Sequence, residues 1–274
     1  MKRAILFLFL VPVMIYSQKQ YRFFINNINM PIDNKGILAA VNIPPDGALG
    51  RFDSVCFLFS GGFWLSGYNQ DTLWANGVAT ASLIENYIPG NVDSNQYDPR
   101  YDLYVVGNST YVNYTAWNRY KFAINNGAEY YDGDGNGYYD PIDLNFNNRW
   151  DPNEDKPDVL SIGSQTVWCV YNDGQPGSQR TRFAGVNPQG IEIHQSVFGF
   201  TTHTAPQLQN VLFIRYKIIN TGKVNSILDS VYFTAWADAD LGINFADDLV
   251  GSDTLLNSGF IYNKQETDPG FGCH

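Results

Sequence analysis

The sequence predicts a mainly β protein. The expected architecture is an antiparallel β-sandwich of immunoglobulin-like size, preceded by a β-rich region with one short helix and joined to it by a tandem acidic loop. Three observations point there. Strand-favouring aromatics are abundant, with 18 Tyr, 18 Phe and 6 Trp. Short apolar or alternating runs recur between turn-forming clusters. One acidic segment replaces apolar periodicity with regularly spaced oxygen side chains.

Along the chain, residues 1–17 read as an export signal. Met1-Lys2-Arg3 is a short positive start, Ala4–Tyr16 is apolar but too short to span a bilayer, and Ser17 precedes the expected cleavage before Gln18. Strand-like runs follow at Tyr21–Ile28, Gly36–Ile43, Ser54–Ser60 and Asp102–Val106. Others occupy Thr166–Tyr171, Ile191–Phe200, Val211–Ile219 and Ser230–Ala237. Pro44-Pro45-Asp46-Gly47, Asp173-Gly174-Gln175-Pro176 and Asn220-Thr221-Gly222 mark turns. Leu212, Ile214, Tyr216 and Ile218 share one face of a strand and Arg215 and Lys217 the other, as in a half-exposed antiparallel strand.

One helix is expected over Tyr114–Asn126, where Trp117, Tyr120 and Ile124 recur at helical spacing. Asn113 or Thr115 caps it and Gly127 ends it. The division that follows is an export signal at 1–17, a β-rich region at 18–128 ending in the helix, the tandem loop at 129–158, and a sandwich-like region at 159–274. The abrupt end at Gly270–His274 suggests a fragment of a longer protein.

The acidic loop carries the most chemistry. Asp132, Asp134, Asn136, Asp140 and Asp143 occupy positions 1, 3, 5, 9 and 12 of a twelve-residue loop with Gly137 at position 6, and Tyr138 offers its carbonyl at position 7. This is the EF-hand ligand spacing, suited to Ca²⁺ as a hard cation that takes six to eight oxygens. The pattern restarts at Asp143, with Asn145, Asn147, the Arg149 carbonyl, Asp151 and Glu154 in the same places. A polar turn accounts for Asp, Asn and Gly singly, but not for Trp150-Asp151-Pro152 echoing Tyr139-Asp140-Pro141 in phase. Asn148 replaces the position-6 glycine in the second loop. Structural calcium sites are expected rather than a cytosolic switch.

Charge follows the same distribution. Eight of 27 acidic residues lie between Asp132 and Asp158, and five more are Asp238, Asp240, Asp247, Asp248 and Asp253. The net charge of −10 is therefore local cation-binding potential. No basic stripe exists to bind nucleic acid. The second acidic patch reads either as a solvated loop or as a further cation site. Cys56, Cys169 and Cys273 are too few for a disulfide framework. Glu192 and His194 share a strand face and His203 follows, but an ordinary strand histidine is the commoner reading. No nucleophile elbow, zincin helix or phosphate loop occurs, so no catalytic residue is assigned. Trp64 and Tyr68 suit either sugar stacking or the core.

Several segments together resemble a family of large secreted bacterial surface proteins that usually end in a type IX secretion sorting domain. They are the Asp132–Gly137 and Asp140–Asn145 stretches, Trp150–Asp155, Val167–Gly174, Gly190–Gln195, Phe213–Tyr216 and Trp236–Gly242. The resemblance spans most of the mature chain, lacks the sorting domain, and implies an extracellular or cell-surface place but no activity. The loop alone is also similar to dockerin and thrombospondin type 3 repeats.

The leading expectation is a calcium-stabilised, non-enzymatic structural or adhesion protein, with calcium and extracellular glycan or surface components as partners and no membrane span. The accessory or N-terminal part of a secreted hydrolase, or a carbohydrate-binding module, are the alternatives.

Overall fold

In a computed structural model of the chain, the residues described are 18–41, 43, 47–78, 86–107, 114–157, 163–180, 182–265, 267–268 and 272–273. The expected export signal, the turn residues 44–46 and the Asn113 cap lie outside them.

The order begins β1 (Gln20–Phe24), β2 (Ile28–Asp33), β3 (Leu38–Ala39), β4 (Gly50–Phe52), β5 (Val55–Leu58), β6 (Ser60–Asn69) and β7 (Thr72–Gly77). It continues through β8 (Ile88–Pro89), β9 (Tyr104–Gly107), helix α1 (Tyr114–Asn125), β10 (Tyr130–Tyr131) and β11 (Lys156–Pro157). Then come β12 (Gln165–Asn172), β13 (Ile191–Gly199), β14 (Leu212–Asn220) and β15 (Asp229–Asp238). The last are β16 (Asp248–Asp253), β17 (Ser258–Asn263), β18 (Thr267–Asp268) and β19 (Gly272–Cys273).

The fold is mainly β and its sheets are antiparallel. An eight-stranded sheet has the order β15-β6-β3-β2-β4-β5, with β1 on β2 and β7 on β6. A five-stranded sheet has the order β14-β13-β12-β8, with β9 also on β12. The two share one core. Phe23, Ile32, Phe63 and Leu65 from the first sheet pack with Val167, Tyr171, Ile193 and Val197 from the second. Across it, Phe63 meets Tyr216 at 4.7 Å and Tyr87 at 5.7 Å in edge-on contacts.

Strand alternation explains why β13 is buried along its whole length. Ile191, Ile193 and Val197 face the shared core. The alternate residues of β12, Trp168 and Val170, belong to a second cluster with Tyr101, Tyr104, Tyr120 and Ala123. The helix therefore covers the outer face of the second sheet. Its Trp117, Tyr120 and Ala123 are buried, and Arg119 pairs with the buried Asp102 at 2.6 Å. Gly127 ends it at φ +99°, as a left-handed terminator requires.

Several expectations need correction. Residues 159–274 do not form a sandwich of their own, because β15 pairs with β6 from Asp229↔Tyr68 to Asp238↔Ser60. Tyr21–Ile28 is not one strand: the chain turns at residues 25–27, where the Asn26 side-chain Oδ1 accepts the Ile28 N–H. Gly36–Ile43 shrinks to β3, because Ala39 and Ala40 take positive φ and break the extended run. The β6–β7 hairpin was not foreseen, since glycines interrupt the alternation of β6. The helix is one residue shorter than expected. Cys56 and Cys169 are free thiols, and burial raises the pKa of both. Among the described residues, no helix is long and apolar enough to cross a membrane.

Gly36 lies between the two sheets at φ +93°, where any Cβ would collide with the Tyr171 hydroxyl. That hydroxyl donates to Gln195 Oε1 at 2.7 Å in the core. Gly36→Ala should lower the unfolding free energy by about 2–4 kcal/mol, through left-handed strain and overpacking, as measured by chemical denaturation.

Candidate metal centre

The two-stranded ribbon β10–β11 closes the base of the acidic segment, pairing Tyr130 with Pro157 and Tyr131 with Lys156. The Tyr139 hydroxyl donates to the Trp117 carbonyl of α1 at 3.0 Å and fastens the segment to the helix. On the other flank Trp150 Nε1 donates to the Glu154 carbonyl at 2.8 Å, and the Lys156 ammonium lies 4.2 Å above the Trp150 ring.

Within this frame the chain makes the same loop twice. In the first, Asp132 Oδ1 accepts the N–H groups of Gly135 and Asn136, and Oδ2 accepts that of Gly137. In the second, Asp143 Oδ1 accepts the Asn147 N–H and Oδ2 the Asn148 N–H. Asp134 and Asn145 each accept the N–H two residues on, as do Asn136 and Asn147. Asp140 accepts from the Asn136 amide at 3.2 Å. Asp151 accepts from the amides of Asn145 and Asn147 at 2.8 and 2.9 Å. Such side-chain-to-backbone bonds are the local chemistry that makes Asp and Asn turn residues.

The backbone repeats as well. Gly135 and Gly137 take φ of +73° and +80°, and Phe146 and Asn148 take +60° and +57° in the equivalent places. Asn148 adopts the left-handed conformation that the position-6 glycine supplies in the first loop. Phe146 does so too, without glycine's freedom.

Each loop is closed by a carboxylate that reaches back to two N–H groups at matching positions. Glu154 accepts from Leu144 at 2.7 Å and Asp151 at 3.0 Å. Asp155 accepts from Gly133 at 2.9 Å and Asp140 at 2.8 Å. Sequence reasoning placed Asp143 at position 12 of the first loop, but its carboxylate is engaged inside the second. Asp155, which that reasoning did not select, takes the closing place. Asp132, Asp134 and Asp155 each bring a carboxylate oxygen within 4.8 Å of the others. The missed signal was the Glu154-Asp155 pair, one closing carboxylate per loop.

Electrostatically the segment is unbalanced. Asp143, Glu154 and Asp155 are buried. Burial, together with the neighbouring Asp140 and Asp134 carboxylates, raises Asp155 above the usual carboxylate range despite its two N–H donors. None of the seven carboxylates Asp132, Asp134, Asp140, Asp143, Asp151, Glu154 and Asp155 has an ion-pair partner among the described residues. An all-oxygen donor set with unbalanced negative charge fits a hard divalent cation better than a soft metal or an anion.

The remaining candidates separate. In the second acidic patch, Asp238 ends β15, Asp247 closes a 3₁₀ turn, and Asp248 and Asp253 bound β16, so this is not simply a loop. Asp240 is raised by burial and by Asp238 and Asp248. His194 lies buried within β13, bonded through Nε2 to Glu192 Oε1 at 2.8 Å, whereas His203 is exposed in a turn. Trp64 stands on the face of β6 opposite the buried Phe63 and Leu65, and stacks on Trp236 at 5.8 Å and 10°. Comparison with protein-family models, curated proteins and solved structures finds no match for this chain.

Phe146 is 87% exposed, so its strain is not offset by packing. Phe146→Gly should stabilise the protein by about 1 kcal/mol, read as a higher midpoint in a denaturant titration.

Proposed function

We propose that this chain is an exported, calcium-stabilised β protein that acts as a structural or adhesive element at the cell surface and not as an enzyme. The observation that carries the reading is the pair of matched loops, each closed by its own carboxylate and without an ion-pair partner among the described residues. The first site would use Asp132, Asp134, Asn136, the Tyr138 carbonyl, Asp140 and Asp155. The second would use Asp143, Asn145, Asn147, the Arg149 carbonyl, Asp151 and Glu154. A bound Ca²⁺ would neutralise charge that these residues now hold against one another. The protein's own part is to preset the loops by backbone hydrogen bonds and to fix them to α1 through Tyr139. The apolar run at Ala4–Tyr16 and the resemblance to exported surface proteins support an extracellular place, where calcium is abundant.

A second reading, a carbohydrate-binding module, is favoured by the near-parallel Trp64 and Trp236 rings with the Arg182 guanidinium 5.7 Å from Trp64. Half-buried aromatic planes of this kind stack on sugar rings.

Calcium at about a hundredfold its Kd should add about 2.7 kcal/mol per site, which for a chain of this size means a rise in Tm of about 5–10 °C per site. Calorimetry with calcium or with chelator measures it, and an identical Tm in both would end the calcium reading. Asp155→Asn should remove one bound ion and Asp143→Asn the other, counted by isothermal titration. Retention of a neutral oligosaccharide on an affinity gel, lost in Trp64→Ala or Trp236→Ala, would instead establish the second reading.

A further inference from the structure

We propose that the cleft between β13, β14 and the chain after α1 binds a small carboxylate, held between Lys217 and the Nδ1 edge of His194. The site lies on the outer face of the second sheet and is separate from the acidic loops. Glu129, Trp168, His194, Ser196, Arg215 and Lys217 line it.

The argument starts from the histidine. Glu192 accepts hydrogen bonds from the Asn91 amide at 2.9 Å and the Val92 N–H at 3.1 Å, and faces His194 Nε2 at 2.8 Å. Burial alone would raise its pKa, but donation from His194, Val92 and Asn91 leaves Glu192 below the usual carboxylate range. An ionised Glu192 only accepts, so Nε2 carries a proton whichever way the ring is charged. Nδ1 is then the ring atom left without a hydrogen bond among the described residues. The His194 side chain is only 6% exposed, and Nδ1 is shut from solvent with no partner among the described residues. A buried polar atom left unpaired costs about 1–3 kcal/mol.

Charge decides what should fill the cleft. Strand register puts Lys217 opposite His194 and Arg215 opposite Ser196. Arg215 is occupied by both Glu129 oxygens, at 3.0 and 3.1 Å. Glu192 faces the imidazole, which leaves Lys217 as the lining cation without an ion-pair partner among the described residues. One carboxylate oxygen can accept from the Lys217 ammonium while the other accepts from Nδ1–H, the proton being taken up from solvent as the anion binds. The cleft narrows to a recess for one water-sized group, so it admits the end of a carboxylate and no bulky body. Gly127 packs directly against the His194 ring, where any Cβ would strike it. Glu129, Glu192, Arg215 and Lys217 are the charged groups that face the ring.

The test uses the full chain with ¹⁵N-labelled histidine and acetate as the probe. The chain has 3 histidines. His194→Gln, or proximity to the Trp168 ring at 5.7 Å if that variant does not fold, assigns the resonance. Acetate should shift the His194 Nδ1 signal saturably. Lys217→Met, with an unchanged melting curve, should weaken binding about tenfold or more. N-acetylglycine and glucuronate, compared in the same way, distinguish a peptide terminus from a uronic sugar as the source of the carboxylate. No saturable shift up to about 100 mM acetate, which corresponds to a binding free energy weaker than about 1.4 kcal/mol, overturns the proposal. So does equal affinity in Lys217→Met.

Discussion

Double burial of the β12–β13 pair is the constraint on which the rest of the molecule depends. One face of the pair needs the first sheet and the other needs α1 with its aromatic neighbours. Neither face can be left to water, because Trp168, Tyr171 and Ile193 carry too much apolar surface. The N-terminal strands, the helix and β14 are therefore positioned by a shared demand for burial. Polar residues on the helix side, Glu192 and His194, are buried by the same geometry and must find partners inside the protein.

The acidic segment is attached to that arrangement rather than free of it. Tyr139 fastens it to α1, and β10–β11 holds its two ends together. Its architecture is a repeat with an interlocked closure. The first loop is not complete until the chain has traversed the second and reached Asp155, so the loops form one unit. Gly133 belongs to this unit because a side chain there would strike the Glu154 backbone. Assembling so many carboxylates carries an electrostatic cost, in keeping with the raised Asp155.

How much was legible in the chain differs by element. The alternation of Leu212, Ile214 and Tyr216 against Arg215 and Lys217, the helix ending at Gly127 and the paired loops could all be read, because each depends on residues near one another in sequence. The β6–β7 hairpin was hidden, since Gly61, Gly62 and Gly67 erase the period-two signal that Phe63 and Leu65 would otherwise give. The pairing of β15 with β6 was also hidden, because strand partners far apart in sequence leave no local trace.

By itself, the sequence determined the β-rich character, the helix and the positions of the loop oxygens, all of which follow from local spacing and backbone preference. Only the tertiary structure decided which carboxylate closes which loop, that the sandwich draws strands from both halves of the chain, and that His194 keeps one ring nitrogen without a partner among the described residues. Those outcomes depend on long-range burial and on where distant backbone N–H groups come to rest, and neither is encoded in any single stretch of residues.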